Sequence, residues 1–274
     1  MKFTKMHGAG NDFIIINNIE ERIPEEKFGY LAKTLCHRRF SIGADGLMMV
    51  EKATDGGDYK MVFYNADGSK GEMCGNGARC IARYGYEKGL AGETQNIETT
   101  AGLVIGHRES ERLYKIRLND VAVMENDIEV LAGGGVFDCT YVELGNPGIP
   151  HAVVPVKGLA DRDPESLRDE AIELRYYKGF PKGANINFFD IVGEDQLVEL
   201  TYERGVEDYT LACGTGTGSV VATLTRKGLV SGKDVKVKVP GGELIINTDG
   251  TEIFLTGMTN IVAEGEITDE DLDI

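Results

Sequence analysis

Two stretches of this sequence carry residue types suited to chemistry: Cys74-Gly75-Asn76-Gly77-Ala78-Arg79 and Cys213-Gly214-Thr215-Gly216-Thr217-Gly218. Each places a cysteine at the head of a glycine-rich turn, and each turn opens into a helix-like run. A helix start directs unpaired backbone N–H groups and positive potential at whatever precedes it. A thiol held there ionises more readily than in water, and the same N–H groups can hold a carboxylate. A lone cysteine in an apolar run is ordinarily a small buried hydrophobe, which is the reading for Cys36, Cys80 and Cys139. Cys74 and Cys213 differ because their surroundings repeat. Two thiols flanking one carbon can remove a proton from one face and return one to the other. That task needs unlike protonation states in like surroundings, so the thiols titrate as a coupled pair. Closure of a cleft around them would exclude water and strengthen the helix-end fields.

The elements that must position the cysteines repeat as well. Gly145-Asn146 echoes Gly10-Asn11, and Phe180-Pro181-Lys182-Gly183-Ala184-Asn185 echoes Phe40-Ser41-Ile42-Gly43-Ala44-Asp45. Tyr202-Glu203-Arg204-Gly205 echoes the turn after Tyr64, and Lys227-Gly228-Leu229 echoes Lys88-Gly89-Leu90. Near-constant spacing in two copies indicates a duplicated domain rather than a solenoid. Equivalent residues of the two halves can then meet about a pseudo-twofold axis.

Within the first half, strands are expected over residues 1–6 and 13–16, joined by the turn 7–12. A helix over 24–38 starts at Pro24 and turns Phe28, Leu31, Ala32 and Leu35 to one face. Strands near 47–50 and 60–64, a helix from Cys74 to about Lys88, and strands near 97–100, 103–107 and 114–118 complete it. The glycine-containing stretch Val123–Gly135 reads as the boundary. The expected domains are 1–124, completed by the C-terminal segment 260–274, and 135–259. The acidic end of that last segment reads as solvated.

A chain of 274 residues fits two domains of roughly 150 residues each. Its 42% hydrophobic and 27% charged content is that of an ordinary globular protein. The net charge of −16 argues against nucleic-acid or anionic-membrane partners. It leaves a small anionic substrate open, because local dipoles can hold one. The opening residues lack the apolar core of a leader peptide, and no apolar run approaches the ~18 residues of a membrane span. Five cysteines, without CxxC spacing, fit a reducing cytoplasm and argue against a disulfide framework. With only four histidines a zinc site is not expected. Neither a dinucleotide fingerprint nor a Walker lysine loop is present, so no cofactor is expected.

The words HGAGNDF, YNADGS, MCGNGARC, FPKGANINF and YERGVEDYTLACGTGTGS resemble the diaminopimelate epimerase family over nearly the whole chain. The resemblance implies an α/β fold of two pseudo-twofold related domains. Each is a barrel-like, mostly antiparallel sheet around a central helix, with the active site in the interdomain cleft. It implies an amino-acid epimerase, a homodimer, that uses no pyridoxal phosphate or metal and acts in lysine and peptidoglycan-precursor biosynthesis. By match of motif, Cys74 and Cys213 are the acid/base pair. Asn11, Asn65, Asn146, Asn185, Glu203 and Arg204 are substrate contacts, and Gly75-Asn76 with Gly214-Thr215 supply the amides that grip the reacting carboxylate. Alone, each asparagine would be an Asx-turn or cap, and Glu203 a surface charge; the resemblance adds a thiol-tuning role for Glu203.

The sequence departs from the family at two places. The usual Gly-Asn-Pro-His is here Gly145-Asn146-Pro147-Gly148-Ile149-Pro150-His151, which leaves His151 between a thiol-tuning and a structural role. Gly46 stands where some members carry a glutamine. Competing readings are racemisation of histidine, proline or hydroxyproline on the same scaffold, and a non-catalytic carboxylate-binding protein. Binding alone needs no matched thiols.

Overall fold

Residues 13–16 and 47–50 are apolar at every position, which suits strands covered on both faces. In the computed structural model they are so covered. All residues are described except Glu72, Met73, Asp269, Asp271, Asp273 and Ile274. The chain forms two compact units, Met1–Ile116 with Gly257–Ile274, and Arg117–Thr256.

The first unit contains β1 (Lys2–Gly8), β2 (Asn11–Asn17), α1 (Asn18–Glu21), α2 (Phe28–Leu35), β3 (Gly46–Glu51) and β4 (Tyr59–Asn65). It continues with α3 (Gly75–Glu87), β5 (Thr94–Thr99), β6 (Gly102–Arg108) and β7 (Leu113–Arg117). The strands run in order β1 to β7 and then to β16 (Ile253–Glu266), which pairs back antiparallel with β1 and closes an eight-stranded barrel. The two parallel pairs, β2–β3 and β4–β5, require crossovers, supplied by α2 and α3. Ile14, Ile16, Leu47 and Met49 pack with Phe28, Leu31 and Leu35 of α2. The alternate face meets α3, which is buried from Gly75 to Gly85.

The second unit repeats this path. It contains β8 (Val121–Ala132), β9 (Gly135–Leu144), β10 (Ile149–Pro155), α4 (Arg168–Arg175), β11 (Asn185–Gly193) and β12 (Gln196–Glu203). Then come β13 (Asp208–Thr210), α5 (Gly214–Arg226), β14 (Val235–Val239) and β15 (Gly242–Thr248). β10–β11 and β12–β14 are again the parallel pairs, spanned by α4 and α5. One face of β10, β11 and β12 packs Ala152, Val154, Ile186, Phe188, Leu200 and Tyr202 with Leu174 of α4. The other face meets α5, buried over most of its length.

The repeated Lys-Gly-Leu words end the two buried helices. Gly89 and Gly228 both have φ of +68°, the left-handed conformation that glycine adopts without steric cost. Leu90 N then donates to Gly85 O at 2.8 Å, and Leu229 N to Leu224 O at 2.9 Å, satisfying carbonyls that a helix end leaves open.

Two expectations need correction. The helix expected from Pro24 is a 3-10 turn over Glu25–Lys27 followed by α2, and it stops at Leu35 rather than Arg38. The stretch 123–135, expected as the boundary between the halves, is mostly strand and lies inside the second unit: β8 pairs antiparallel with β9 through the turn at Gly133-Gly134, both with positive φ. Its polar sequence reflects a strand whose inward side chains near the turn, Val130 and Ala132, are few. The expected C-terminal segment 260–274 begins inside β16, and Ile267 and Leu272 pack on the α2 core. Its positions 269, 271, 273 and 274 lie outside the described residues.

Candidate active site

Cys74 and Cys213 are the N-cap residues of α3 and α5, in extended conformation at φ −105° and −116°. Each cysteine carbonyl accepts the first helical bond, from Ala78 N at 2.8 Å and Thr217 N at 2.9 Å. Both cysteines thus stand at the helix end where first-turn N–H groups lie outside the helical ladder, as the glycine-rich words imply. Burial pushes Cys36, Cys80 and Cys139 up to about 12, so they remain thiols at neutral pH.

Around Cys74, the sulfur donates to Asn11 Oδ1 at 3.2 Å, and Asn76 Nδ2 lies 3.5 Å from the same oxygen. Asn11 is oriented by its own amide nitrogen, which donates to Asp45 Oδ2 at 2.7 Å. Asp45 is in turn held by Arg38, 2.7 Å from both Asp45 and Asp12, and Lys5 lies 2.7 Å from Asp12. Burial raises the Asp12 carboxyl, but bonds from Arg38 and Lys5 outweigh it and bring it down to about 2. Below the helix start sits Arg79, fully buried, which donates to Asn76 Oδ1 at 2.9 Å and Gly75 O at 3.3 Å. Asn65 ends β4 in an exposed turn, where its Nδ2 donates to Ser69 Oγ at 3.0 Å.

Around Cys213, the sulfur lies 3.5 Å from Thr215 Oγ1. Contrary to the expectation that a helix start makes its thiol easier to ionise, burial raises the Cys213 thiol well above its ordinary value, and the charges of Glu203 and Glu199 raise it further; Thr215 and the Gly216 N–H lower it but do not outweigh burial. Asn185 bonds within the protein on both sides of its amide: Nδ2 donates to Pro150 O at 3.1 Å and Oδ1 accepts from Arg204 N at 2.8 Å. The Arg204 side chain is exposed and donates to Lys182 O at 3.0 Å. Asn146 lies in the exposed turn between β9 and β10.

His151 pairs with Asn185 in the β10–β11 register and is completely buried. Its Nδ1 lies 3.2 Å from Asn187 Nδ2, so Nδ1 accepts and Nε2 carries the proton. Burial pushes the imidazolium down to about 3, with the Arg204 charge acting the same way and the Asn187 bond opposing. The three residues inserted before His151 therefore do not expel it from the interior.

The first unit thus brings together Cys74, Asn11, Gly75 and Asn76. The second brings together Cys213, Gly214, Thr215, Glu203, Asn185, Arg204 and His151. Asn65 and Asn146 stand on exposed turns. Sequence reasoning missed Arg79, Asn187, Glu199 and Thr217, all buried within these groups. Gly46 has a local explanation: a Cβ there would come within 2.3 Å of the Phe63 ring, which occupies the space. Among the described residues no cluster of three or more His, Cys, Asp or Glu is placed to hold a metal ion. No helix among them is long and apolar enough to cross a membrane.

The architecture is that of the two-domain epimerase and racemase fold. A phenazine-biosynthesis PhzF-family protein from Enterococcus faecalis superposes with a TM-score of 0.71 at 12% identity, covering 97% of this chain and 98% of that one. A probable proline racemase from Agrobacterium radiobacter K84 gives 0.68 at 17% identity, covering 99% and 94%. Sequence carries the assignment further. The diaminopimelate epimerase family profile matches residues 3–123 and 144–262. The diaminopimelate epimerase of Aquifex aeolicus (strain VF5) is 36% identical over 286 residues, covering 100% of both chains. That of Methanothrix thermoacetophila is 38% identical over 278, covering 98% of this chain and 97% of the relative. The chain belongs to the diaminopimelate epimerase family and is an isomerase that epimerises an amino acid.

Proposed function

We propose that the chain converts LL-2,6-diaminopimelate to the meso isomer without a cofactor, by proton exchange between the substrate and two cysteines. Supporting this is the placement of Cys74 and Cys213 as N-caps of equivalent buried helices in two duplicated units. In this reading, the first-turn amides of α3 and α5 hold the carboxylate at the reacting centre, where negative charge builds as the α-proton leaves. One sulfur, as thiolate, removes the proton from one face. The other, as thiol, delivers a proton to the opposite face and becomes the thiolate. Asn11 and Glu203 adjust the thiols from either unit. Arg204 serves the distal carboxylate; it is exposed and, among the described residues, ion-pairs with no carboxylate. Its fork suits a carboxylate geometrically.

The test is incubation of LL-diaminopimelate, proline, hydroxyproline and histidine with enzyme in deuterated water. Expected are deuterium at one α-carbon of diaminopimelate and appearance of the meso isomer. Exchange of a single-headed amino acid at comparable kcat/KM would overturn the substrate assignment.

A further inference from the structure

Beneath α5 lies a buried carboxyl group that the proposed reaction does not use. β12 alternates, so Val198, Leu200 and Tyr202 pack toward α4 while Leu197, Glu199 and Thr201 face α5. Glu199 is 1% exposed. Its Oε2 lies 2.5 Å from Thr217 Oγ1, which lies 3.1 Å from Cys213 O; its Oε1 lies 3.4 Å from Thr201 Oγ1, which lies 3.1 Å from Asn187 Oδ1. Between them Thr217 and Thr201 own two hydroxyl protons. Four acceptor sites compete for these: both Glu199 oxygens, the Cys213 carbonyl and the Asn187 carbonyl. If Glu199 is ionised, the hydroxyls must turn to it and abandon Cys213 and Asn187. If it is protonated, it supplies a third proton: Glu199 donates to Thr217, Thr217 to Cys213 O, and Thr201 to Asn187.

The surroundings favour the neutral form. Cys213 on α5 and Glu203 on the same strand share its charge sign on ionising. His151 on β10 and Asn187 on β11 offer no cation, since His151 is held neutral. β14 turns Val235 and Val237 inward while its Lys236 and Lys238 are exposed. Burial raises Glu199 to about 8, and the two threonine bonds only partly oppose it.

We propose that Glu199 is a positioning residue that acts as a neutral acid, fixing the Cys213 end of α5 through Thr217 and keeping a second anion away from the Cys213 sulfur. This rests on the role of Cys213 given above. Ionisation of Glu199 would oppose formation of the Cys213 thiolate, and so oppose turnover at high pH.

The experiment compares wild type, Glu199→Gln and Glu199→Leu. Glutamine keeps a donor toward Thr217 and cannot ionise; leucine removes the donor. One arm needs no turnover: 13C NMR of [13Cδ]glutamate and [13Cβ]cysteine protein, titrated from pH 5 to 10. Glu199 should titrate near pH 8, and the Cys213 Cβ resonance should show an inflection at that same pH that is absent in Glu199→Gln, as expected for two groups that sense each other's charge. The second arm is the pH profile of kcat. The ratio of kcat at pH 9 to kcat at pH 7 should rise roughly tenfold in Glu199→Gln, and Glu199→Leu should lose turnover at both. Titration of Glu199 below pH 6, or an unchanged Cys213 inflection in Glu199→Gln, would overturn the proposal even if Cys213 proved to have no part in epimerisation. Failure of epimerisation with the expected titrations would instead overturn the function and leave the neutral acid standing.

Discussion

Asn185 Oδ1 accepts the main-chain N–H of Arg204 at 2.8 Å, while the Asn185 amide nitrogen donates to Pro150 O at 3.1 Å. The asparagine is 5% exposed and the arginine side chain is exposed. A buried amide thus fixes the backbone from which a solvent-facing guanidinium projects. In sequence both residues read as substrate contacts. In the structure Asn185 holds the backbone of the turn, and the Arg204 guanidinium stands exposed on it.

Arg204→Lys should therefore separate charge from geometry. Lysine retains the positive charge but cannot form two parallel bonds to a carboxylate. kcat/KM for diaminopimelate should fall roughly 10- to 100-fold, equivalent to about 1.4–2.8 kcal/mol. Exchange measured with single-headed amino acids should change little. Asn185→Ala should show the same loss with a lower Tm, because Arg204 N would lose its acceptor in a part-buried setting. An Arg204→Lys enzyme with wild-type kcat/KM would remove Arg204 from the binding of the distal carboxylate.

Cys74→Ala and Cys213→Ala should each reduce epimerisation by roughly 10²- to 10⁴-fold, as loss of a positioned acid or base does. Serine should not rescue either, since its hydroxyl ionises far less readily than a thiol. Alanine at Cys36, Cys80 or Cys139, all buried cysteines, should leave turnover within a small factor and act on stability alone. Steady-state rates for the five variants, with circular dichroism to verify folding, check both statements. Near-normal turnover in either Cys74→Ala or Cys213→Ala would remove that cysteine from the proposed pair.

Much of the site could be read in the sequence because its geometry is local. A cysteine before Gly-x-Gly at a helix start needs only the first turn to be positioned, and the Lys-Gly-Leu words need only the last. Glu199 and Arg79 could not be read this way. A single glutamate in Leu197-Val198-Glu199-Leu200-Thr201-Tyr202 looks solvent-facing until β12 is seen to be covered on both faces. The signal was the apolar neighbours at both parities, which leave no wet side. α5 hid its burial for a related reason. Its Ser219, Thr223 and Thr225 suggest a polar surface, yet each hydroxyl bonds back to the carbonyl four residues earlier, at 2.8–2.9 Å. Such bonds let a hydroxyl enter a dry interior without a tertiary partner. The 123–135 stretch reads as a domain boundary because glycines and acidic residues mark hairpin turns and exposed strand edges as readily as they mark boundaries.

Two buried groups should shape the pH dependence of stability in opposite senses. His151 is lowered from 6.5 to about 3, so its contribution is complete above pH 6.5 and is lost as pH falls toward 3. Glu199 is raised from 4.5 to about 8, so its contribution is complete below pH 4.5 and is lost as pH rises toward 8. Each should impose a slope of about 1.4 kcal/mol per pH unit within its window. Urea unfolding from pH 4 to 9 should show the alkaline slope removed in Glu199→Gln and the acid slope reduced in His151→Asn. A wild-type slope between pH 6.5 and 8 that persists in Glu199→Gln would show that another group causes it.

Gly85 offers a test of how tightly the first barrel holds its helix. It lies within α3, where alanine would ordinarily stabilise by about 1 kcal/mol. A Cβ at Gly85, however, would meet the Tyr59 hydroxyl oxygen at 2.5 Å and two ring carbons at 2.7 Å. Tyr59 cannot readily withdraw: it is 1% exposed, and its hydroxyl donates to Ile81 O at 2.9 Å or Gln95 Oε1 at 2.7 Å. Gln95 Nε2 is itself committed to Ala82 O at 2.7 Å. Accommodating one methyl group must therefore move a buried ring, or displace α3 from the strand that carries it. The expected cost is roughly 1–3 kcal/mol, the range for overpacking a core, with the sign opposite to helix propensity. Gly85→Ala paired with Tyr59→Phe distinguishes the two routes. Removing the hydroxyl relieves the closest contact, so the double variant should recover part of what Gly85→Ala loses relative to its own background. Equilibrium unfolding of the four proteins gives the coupling directly. A Gly85→Ala variant as stable as wild type would mean that α3 can shift within the barrel, and that the approach of helix to strand is looser than the Tyr59 contacts indicate.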